Sequence, residues 1–472
     1  MCGILGILGF ESITEWMYHS MVQLQHRGQD ASGVFLSDPA LEEFILRKRP
    51  GWVFQLFQEE PVFPKMRWGL GHVRYSTSGK GYVEDAQPLV LKKQNRTLAI
   101  VHNGNLVNYP KIREELENEG VNFQTSCDSE AILHILAQNI GSGEPFFEKL
   151  CEAVQEVYRR IPASYSVIGL VTGKGMFAFR DPHGIRPLLL GTADQLTAVA
   201  SETLALSNIG CKSIRDIEPG EVIFLDENRQ LHSKSLTSRK HSHCAFEFNY
   251  FAKTPTVMEG KEIYTIRTAL GRALADKIRT MDLPPIDIVV PVPESGNPAG
   301  IALAQHLQVP FAEGFIRQGQ IGRTFIIASQ EKRLAASIQK LAPIRSVFEG
   351  KTVLLVDDSI IRGTVSKRTI ALARDAGAKK VLFASTFPPV IHPCVYGIDF
   401  PSKDQLIASK KTLSEICEEI GADVVIYNDV ESLKKAIGLT DLCLACVTGH
   451  YPTSTTDIEK LQRLREKDLR LV

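Results

Sequence analysis

Nothing in this 472-residue chain is apolar for long enough to cross a bilayer: no hydrophobic run approaches the roughly 20 residues that a spanning helix needs. Neither sign of charge dominates. Lys+Arg and Asp+Glu number 54 each, so electrostatics offers no footing for nucleic acid or an anionic membrane. The first residues lack the basic stretch that opens a secretory signal, so a cytosolic location is expected. There is no internal repeat and no low-complexity tract. A Gly-x₄-Gly-Lys-Ser/Thr loop is also missing, which disfavours a nucleoside triphosphate P-loop. Cysteine is the exception to this list of shortages, with an odd count of nine at positions 2, 127, 151, 211, 244, 394, 417, 443 and 446. In a large chain with no export signal, such thiols are expected to be catalytic, buried or metal-bound rather than disulfide-paired.

What is present fits an ordinary globular protein, with 44% hydrophobic and 23% charged residues. The length exceeds what one core supports and suggests two or three domains. Residues 2 to about 238 read as β-rich with some helix. Apolar strands such as Thr97–Val101 and Ser166–Val171 break at turn signals, Asn103-Gly104 and Asp181-Pro182 among them. Lys111–Gly120 and Ser129–Ile140 carry helical periodicity, so an α+β sandwich is expected here. From about Tyr250 the pattern changes. A helix (Lys261–Met281) precedes a strand (Ile286–Val292), a Gly/Pro loop, a helix (Ala299–Leu307), a strand (Thr352–Val356) and a helix (Thr364–Ala376). Continuous aliphatic strands alternating with helices imply a parallel sheet covered on both faces. A boundary in the polar stretch Ser233–His243 gives domains at 2–238 and 250–440. The C-terminal segment 441–472 carries a Cys-x-x-Cys and is expected to end in a charged, solvated helix.

Chemistry begins at the second residue. Loss of Met1 would leave Cys2 with both a thiol and a free α-amine. Such an amine titrates near about 7.7–8.0 in model peptides and can act as base to the thiol. Alone, Cys2 reads more simply as a small residue at a frayed end. Three further stretches change that: His26-Arg27-Gly28-Gln29-Asp30, Gly71-His72-Val73-Arg74-Tyr75-Ser76-Thr77 and His102-Asn103-Gly104-Asn105, with Asp128 beyond. A thiol that cleaves an amide needs donors aimed at the oxyanion, and the Asn103 side chain beside the Gly104 N–H supplies two. A free amino acid as substrate needs a cation for its carboxylate and an anion for its ammonium. Arg74 can grip the first with two parallel hydrogen bonds, and Asp128 can accept from the second. Each stretch has a plain structural reading, since Asn-Gly is a hairpin signal and an arginine at a strand end is usually solvated. In this order behind Cys2, they resemble the class II (N-terminal nucleophile) glutamine amidotransferase domain over its whole length. That resemblance implies an αββα sandwich, a glutaminase step, and glutamine-binding roles for Arg27, Arg74, Thr77 and Asp128. The same half-enzyme serves several acceptors, so the acceptor must be read from the remaining chain.

The stretch Val353–Val356, Asp357-Asp358-Ser359-Ile360-Ile361-Arg362-Gly363-Thr364 is a buried strand, two carboxylates, a small-residue loop and a helix start. Backbone N–H groups of such a loop, backed by a helix N-terminus, can hold a phosphate dianion. The adjacent acids suit a ribose diol or Mg²⁺, which takes one or two carboxylates plus substrate oxygens. The plain alternative is a solvated acidic rim at a strand end. The stretch closely resembles the phosphoribosyltransferase signature, and Val292-Pro293-Glu294-Ser295-Gly296 resembles that family's pyrophosphate loop, which would put Ser295 near the metal.

Together the two halves resemble the glutamine phosphoribosylpyrophosphate amidotransferase (amidophosphoribosyltransferase) family from Cys2 to about Pro452, including Ile321–Phe325 and His392–Asp399. The resemblance implies ammonia release from glutamine and its passage to phosphoribosyl pyrophosphate in the committed step of purine synthesis. A dry passage would keep the ammonia unprotonated and nucleophilic and exclude water from the ribose C1. It further implies purine nucleotide inhibitors, a homotetramer, and a loop at Arg317–Leu341 that orders over substrate. Here that loop is atypical at Gln318-Gly319-Gln320 and Ala335-Ala336-Ser337-Ile338. Cys443-x-x-Cys446 is a chelating pair, whereas Cys244 and Cys394 read alone as buried thiols. In one branch of the family, thiolates at these four places hold a 4Fe–4S cluster, structural or oxygen-sensing, and Cys₄ is the expected ligation. That branch often carries a propeptide; with none here, removal of Met1 would suffice. Two other functions compete: a catalytically silent regulator that binds phosphoribosyl pyrophosphate, and an amidotransferase for another sugar phosphate. The intact Cys2, Arg74, Asn103, Asp357 and Asp358 weigh against the first, and the Asp357–Thr364 loop against the second.

Overall fold

The computed structural model describes residues 1–39, 44–58, 63–75, 83–93, 96–140, 145–237, 240–317, 341–400 and 402–453. Thr77, nearly all of the Arg317–Leu341 loop and the end of the C-terminal segment lie outside the described residues.

Two antiparallel sheets face each other in the first half. The seven-stranded one runs in the order Ser213–Asp216, Leu189–Thr192, Leu196–Ala200, Gly3–Gly9, Trp68–Arg74, Ala31–Ser37, Phe44–Pro50. The six-stranded one runs Leu231–Ser235, Glu221–Asp226, Gly175–Arg180, Ser164–Val171, Arg96–Asn105, Leu89–Lys93. Period-2 alternation sorts the side chains of each strand. From the first strand, Ile4 and Leu8 join Trp68, Leu70, Ala99, Val101, Ile168 and Leu170 between the sheets. Leu5 and Ile7 pack outward on helix Thr14–Gln23 through Met17 and Met21. Helices Ser129–Asn139 and Phe146–Arg160 cover the outer face of the six-stranded sheet over Leu98, Ile100 and Val167. The result is the expected αββα sandwich.

The second half holds a four-stranded parallel sheet in the order Ile288–Pro291, Thr352–Asp357, Lys380–Ser385, Val424–Tyr427. Helices Ile263–Arg279 and Asn297–Leu307 bury Leu274, Ala299 and Leu303 on one face against Val289, Leu354 and Leu382. Helices Thr364–Asp375 and Leu413–Ile420 bury Ile370, Ile416 and Ile420 on the other against Val353, Leu355 and Phe383. Burial on both faces explains why these strands are continuously aliphatic rather than alternating.

Two local expectations are corrected. Asn103-Gly104 is not a turn: it lies within strand Arg96–Asn105, paired to Ser166 and Tyr165. Gly104 continues the ladder because a Cβ there would come within 2.0 Å of the Ser164 carbonyl oxygen, a space only glycine leaves open. Part of the polar boundary stretch is likewise ordered, as Ser233–Ser235 belongs to the edge strand Leu231–Ser235.

Candidate active sites

The first site forms where the facing sheets end. By the alternation above, Cys2 continues the inward row of Ile4 and Leu8, Asn103 that of Ala99 and Val101, and Arg74 that of Trp68 and Leu70. The Cys2 N–H donates to Asn103 Oδ1 at 3.1 Å, and the Cys2 thiol reaches the Tyr75 carbonyl at 3.7 Å. This bond fixes which way the Asn103 amide points. Its Nδ2 is buried and meets no partner among the described residues, as a donor reserved for an oxyanion must. Asp128, just before helix Ser129–Asn139, accepts the Leu106 N–H at 2.9 Å and stands 4.0 Å from His102 Nδ1. Burial lowers the His102 pKa against the opposing pull of Asp128, and lowers that of His72 further with help from Arg74 and His102. Both imidazoles are therefore neutral at neutral pH. The amine of Met1, which precedes the thiol, is pushed down to about 6, mainly by burial.

Arg27 departs from expectation. Its side chain is fully buried and is held by Glu202 and by Glu247, whose Oε2 lies 3.1 Å from Nη2. Its donors are turned to these carboxylates, so it is a support beneath the site rather than a clamp on substrate. Burial alone would raise the Glu202 carboxyl, but Arg27 and His26 outweigh it and hold it well below the usual range. Arg27→Met should therefore cost about 3–5 kcal/mol of unfolding free energy by removing the counter-charge that two buried carboxylates share, leaving Glu202 with His26 and Glu247 with Arg186. Equilibrium denaturation at neutral pH measures this, and a loss below about 1 kcal/mol would contradict the role. Because the Glu202 carboxyl is depressed in the fold, the stabilisation is full above its unfolded pKa and is lost as the pH falls through the folded one.

The second site sits at the carboxyl end of the parallel sheet. Strand Thr352–Asp357 delivers Asp357 and Asp358, both buried. Ser295 donates to Asp358 Oδ1 at 2.7 Å, and Ser359 to Oδ2 at 2.6 Å. Asp357 accepts the Asp358 N–H at 2.8 Å, and burial and then the neighbouring Asp358 drive its pKa well above the carboxylate range. A bound cation or sugar diol would relieve that cost. Beyond the acids, Ile360 is buried in the core, so it can offer a ligand only its backbone, while Arg362 and Thr364 are exposed. Gly363 (φ +77°) turns the chain into helix Thr364–Asp375, whose N-terminus faces the loop.

Contacts between the halves were not legible in the motifs. Asn105 Nδ2 donates to the Val395 carbonyl at 2.8 Å, Tyr75 Oη to Asp399 at 3.1 Å, and Arg186 Nε to the Tyr396 carbonyl at 2.9 Å. The only sequence signal was that His392–Asp399 matched the family as a block.

Cys244, Cys394, Cys443 and Cys446 are all buried, and none of them forms a disulfide. Cys244 pairs with Cys443 in a short parallel bridge, and the Cys446 carbonyl accepts from Ile391 and His392, each at 3.0 Å. The thiols act on one another: burial raises Cys446 and Cys443, and their cysteine neighbours raise both further. Among the described residues, no three His, Cys, Asp or Glu side chains close tightly enough on one point to hold a single metal ion.

A family profile for the glutamine amidotransferase domain matches residues 72–208. The amidophosphoribosyltransferase of Methanocaldococcus jannaschii is 38% identical, with 98% of this chain and 99% of that protein covered. The structure of a glutamine phosphoribosylpyrophosphate amidotransferase from B. subtilis complexed with ADP and GMP superposes with a TM-score of 0.85 at 35% identity, covering 96% of this chain and 98% of that one. A structure described as the allosteric regulatory enzyme of purine biosynthesis reaches 0.88 at 35% identity, covering 98% and 99%. With fold and relatives matched from end to end, the chain belongs to the amidophosphoribosyltransferase family.

Proposed function

We propose that the protein takes ammonia from glutamine at Cys2 and transfers it to phosphoribosyl pyrophosphate, giving 5-phosphoribosylamine, glutamate and pyrophosphate in the first step of purine synthesis. The observation that carries this reading is the presence of both half-sites in one chain: the orphaned Asn103 amide beside Cys2, and the buried Asp357–Asp358 pair at the head of a phosphate loop. The domains are the glutaminase at 2–238, the phosphoribosyltransferase at 250–440, and a C-terminal segment at 441–472, and the pairing of Leu442–Cys443 with His243–Cys244 supports its start packing on their junction.

Once Met1 is removed, the α-amine of Cys2 accepts the thiol proton and the sulfur attacks the glutamine side-chain carbonyl. Asn103 Nδ2 and the Gly104 N–H hold the oxyanion, while Arg74, Thr77 and Asp128 fix the carboxylate and ammonium of the substrate. Collapse releases ammonia, and water then frees glutamate from the thioester. In the second site the loop Ser359–Thr364 takes the 5-phosphate on its backbone N–H groups, and Asp357 and Asp358 orient the ribose. Mg²⁺ would be held through Ser295, Asp357 and Asp358, and when bound it neutralises charge on the departing pyrophosphate. Purine nucleotide inhibition and a homotetramer complete the reading; the relative solved with ADP and GMP supports the first.

Incubation with glutamine, phosphoribosyl pyrophosphate and Mg²⁺ should release glutamate and pyrophosphate in equal amounts. Tight binding of phosphoribosyl pyrophosphate with no pyrophosphate released would favour the silent regulator.

The four buried cysteines are assigned to a 4Fe–4S cluster. Protein purified without oxygen should be brown with broad visible absorption. Changing any one of Cys244, Cys394, Cys443 or Cys446 to Ser should bleach it and lower the unfolding midpoint, since binding energy at such a site is also folding energy. Colourless protein carrying one zinc per chain would refute the cluster.

A further inference from the structure

Between the edge of the sandwich and helix Ile263–Arg279, the chain crosses from one half to the other through the single wide turn Glu247–Phe251. This turn holds both halves. Glu247, 2% exposed, receives Arg27 at 3.1 Å and Arg186 at 3.4 Å on the glutaminase side. Two residues on, Asn249 is 1% exposed, and its Nδ2 donates to the backbone carbonyl of Asp358 at 3.1 Å. Asn249 Oδ1 accepts from the Thr386 hydroxyl at 2.9 Å, and that hydroxyl lies 3.1 Å from the same Asp358 carbonyl. The three groups close a small polar ring on the main-chain carbonyl of the same residue whose carboxylate accepts from Ser295 and Ser359.

The turn is itself clamped. Arg267 donates to the carbonyls of Phe248, Tyr250 and Ala252 at 3.3, 2.8 and 2.7 Å, and to the Thr254 hydroxyl at 3.3 Å. A fully buried amide and hydroxyl are costly unless satisfied, and once satisfied they fix geometry more tightly than an apolar contact of the same shape. Apolar packing alone would fill this space without any such requirement.

We propose that Asn249, acting with Thr386, is a positioning residue for the phosphoribosyl site. It sets the Asp357–Asp358 main chain at a fixed offset from the Arg27–Glu247–Arg186 support of the Cys2 site. The assignment rests on the reaction proposed above. It makes the acids' aim depend on a turn that belongs to neither site.

The test compares Asn249→Leu, Thr386→Val, their double variant and Thr386→Ser by steady-state kinetics with glutamine and with ammonia. Each of the first two should raise KM for phosphoribosyl pyrophosphate about tenfold with either nitrogen donor, the scale of losing one buried hydrogen bond from a carbonyl that keeps the Phe387 N–H at 3.0 Å. KM for glutamine should move far less. The double variant should be no worse than either single one because both break the same ring, and Thr386→Ser should restore the parent value. If Asn249→Leu does not fold, Thr386→Val and Thr386→Ser alone decide. A lowered unfolding midpoint with unchanged KM for phosphoribosyl pyrophosphate, or an equal rise in both KM values, would overturn the proposal. A parent protein that releases no pyrophosphate would instead overturn the reaction itself, whatever the variants do.

Discussion

Cys2→Ala should lower glutamine-dependent synthesis at least about a thousandfold while synthesis from free ammonia continues, most visibly at high pH where more of it is unprotonated. The asymmetry follows from the layout. The thiol sits at the edge of the sandwich with the Asn103 amide. The proposed ribose site lies at the carboxyl end of a different sheet, with Asp357 and Asp358. Deleting one sulfur removes the nucleophile for amide cleavage and touches nothing that binds phosphoribosyl pyrophosphate. Paired assays with glutamine and with ammonium salts measure the split. Retained glutamine activity would remove Cys2 from the mechanism.

The double variant Asp357→Asn, Asp358→Asn should do the reverse, lowering synthesis from either nitrogen donor by about 10²–10³ or more and leaving some basal glutaminase. The shapes are kept while the charges and one acceptor oxygen per side chain go, so the loss reports charge and hydrogen bonding rather than packing. Stability should not fall with activity. The Asp357 carboxyl is raised by burial and by Asp358. An acid raised in the fold loses stability as the pH climbs from its unfolded pKa toward its folded one, so by neutral pH this carboxyl is a burden on the fold. The variant should therefore unfold at the same or a higher temperature than its parent, a trade of stability for function often met at active sites. Full synthesis by the double variant would end the assignment, and a sharp fall in its unfolding temperature would contradict the electrostatic account.

What could be read from the sequence depended on how local each feature was. The run Thr352–Thr364 is strand, acids, loop and helix in order, so its local structure was visible before any fold. Continuous aliphatic strands foretold the sheet covered on both faces for the same reason. Asn103-Gly104 misled because that dipeptide signals a turn by local propensity, whereas here the hydrogen-bond ladder to Ser164–Ser166 carries the strand through it. Arg27 misled for the opposite reason. A buried guanidinium is defined by its partners, and Glu202 and Glu247 stand 175 and 220 positions along the chain. The Cys-x-x-Cys was legible as a pair, but only folding brings Cys244 into register with Cys443 and the Cys394 segment against Cys446.

The central claim is that one chain makes ammonia at Cys2 and uses it at Asp357–Asp358 across the contacts Asn105–Val395 and Tyr75–Asp399. Its most direct test supplies glutamine labelled with ¹⁵N in the side-chain amide, together with phosphoribosyl pyrophosphate, Mg²⁺ and an excess of unlabelled ammonium near neutral pH. The account predicts that the amine of the product carries the isotope content of the glutamine amide. Product whose ¹⁵N content matches the mixed ammonia in solution would contradict it.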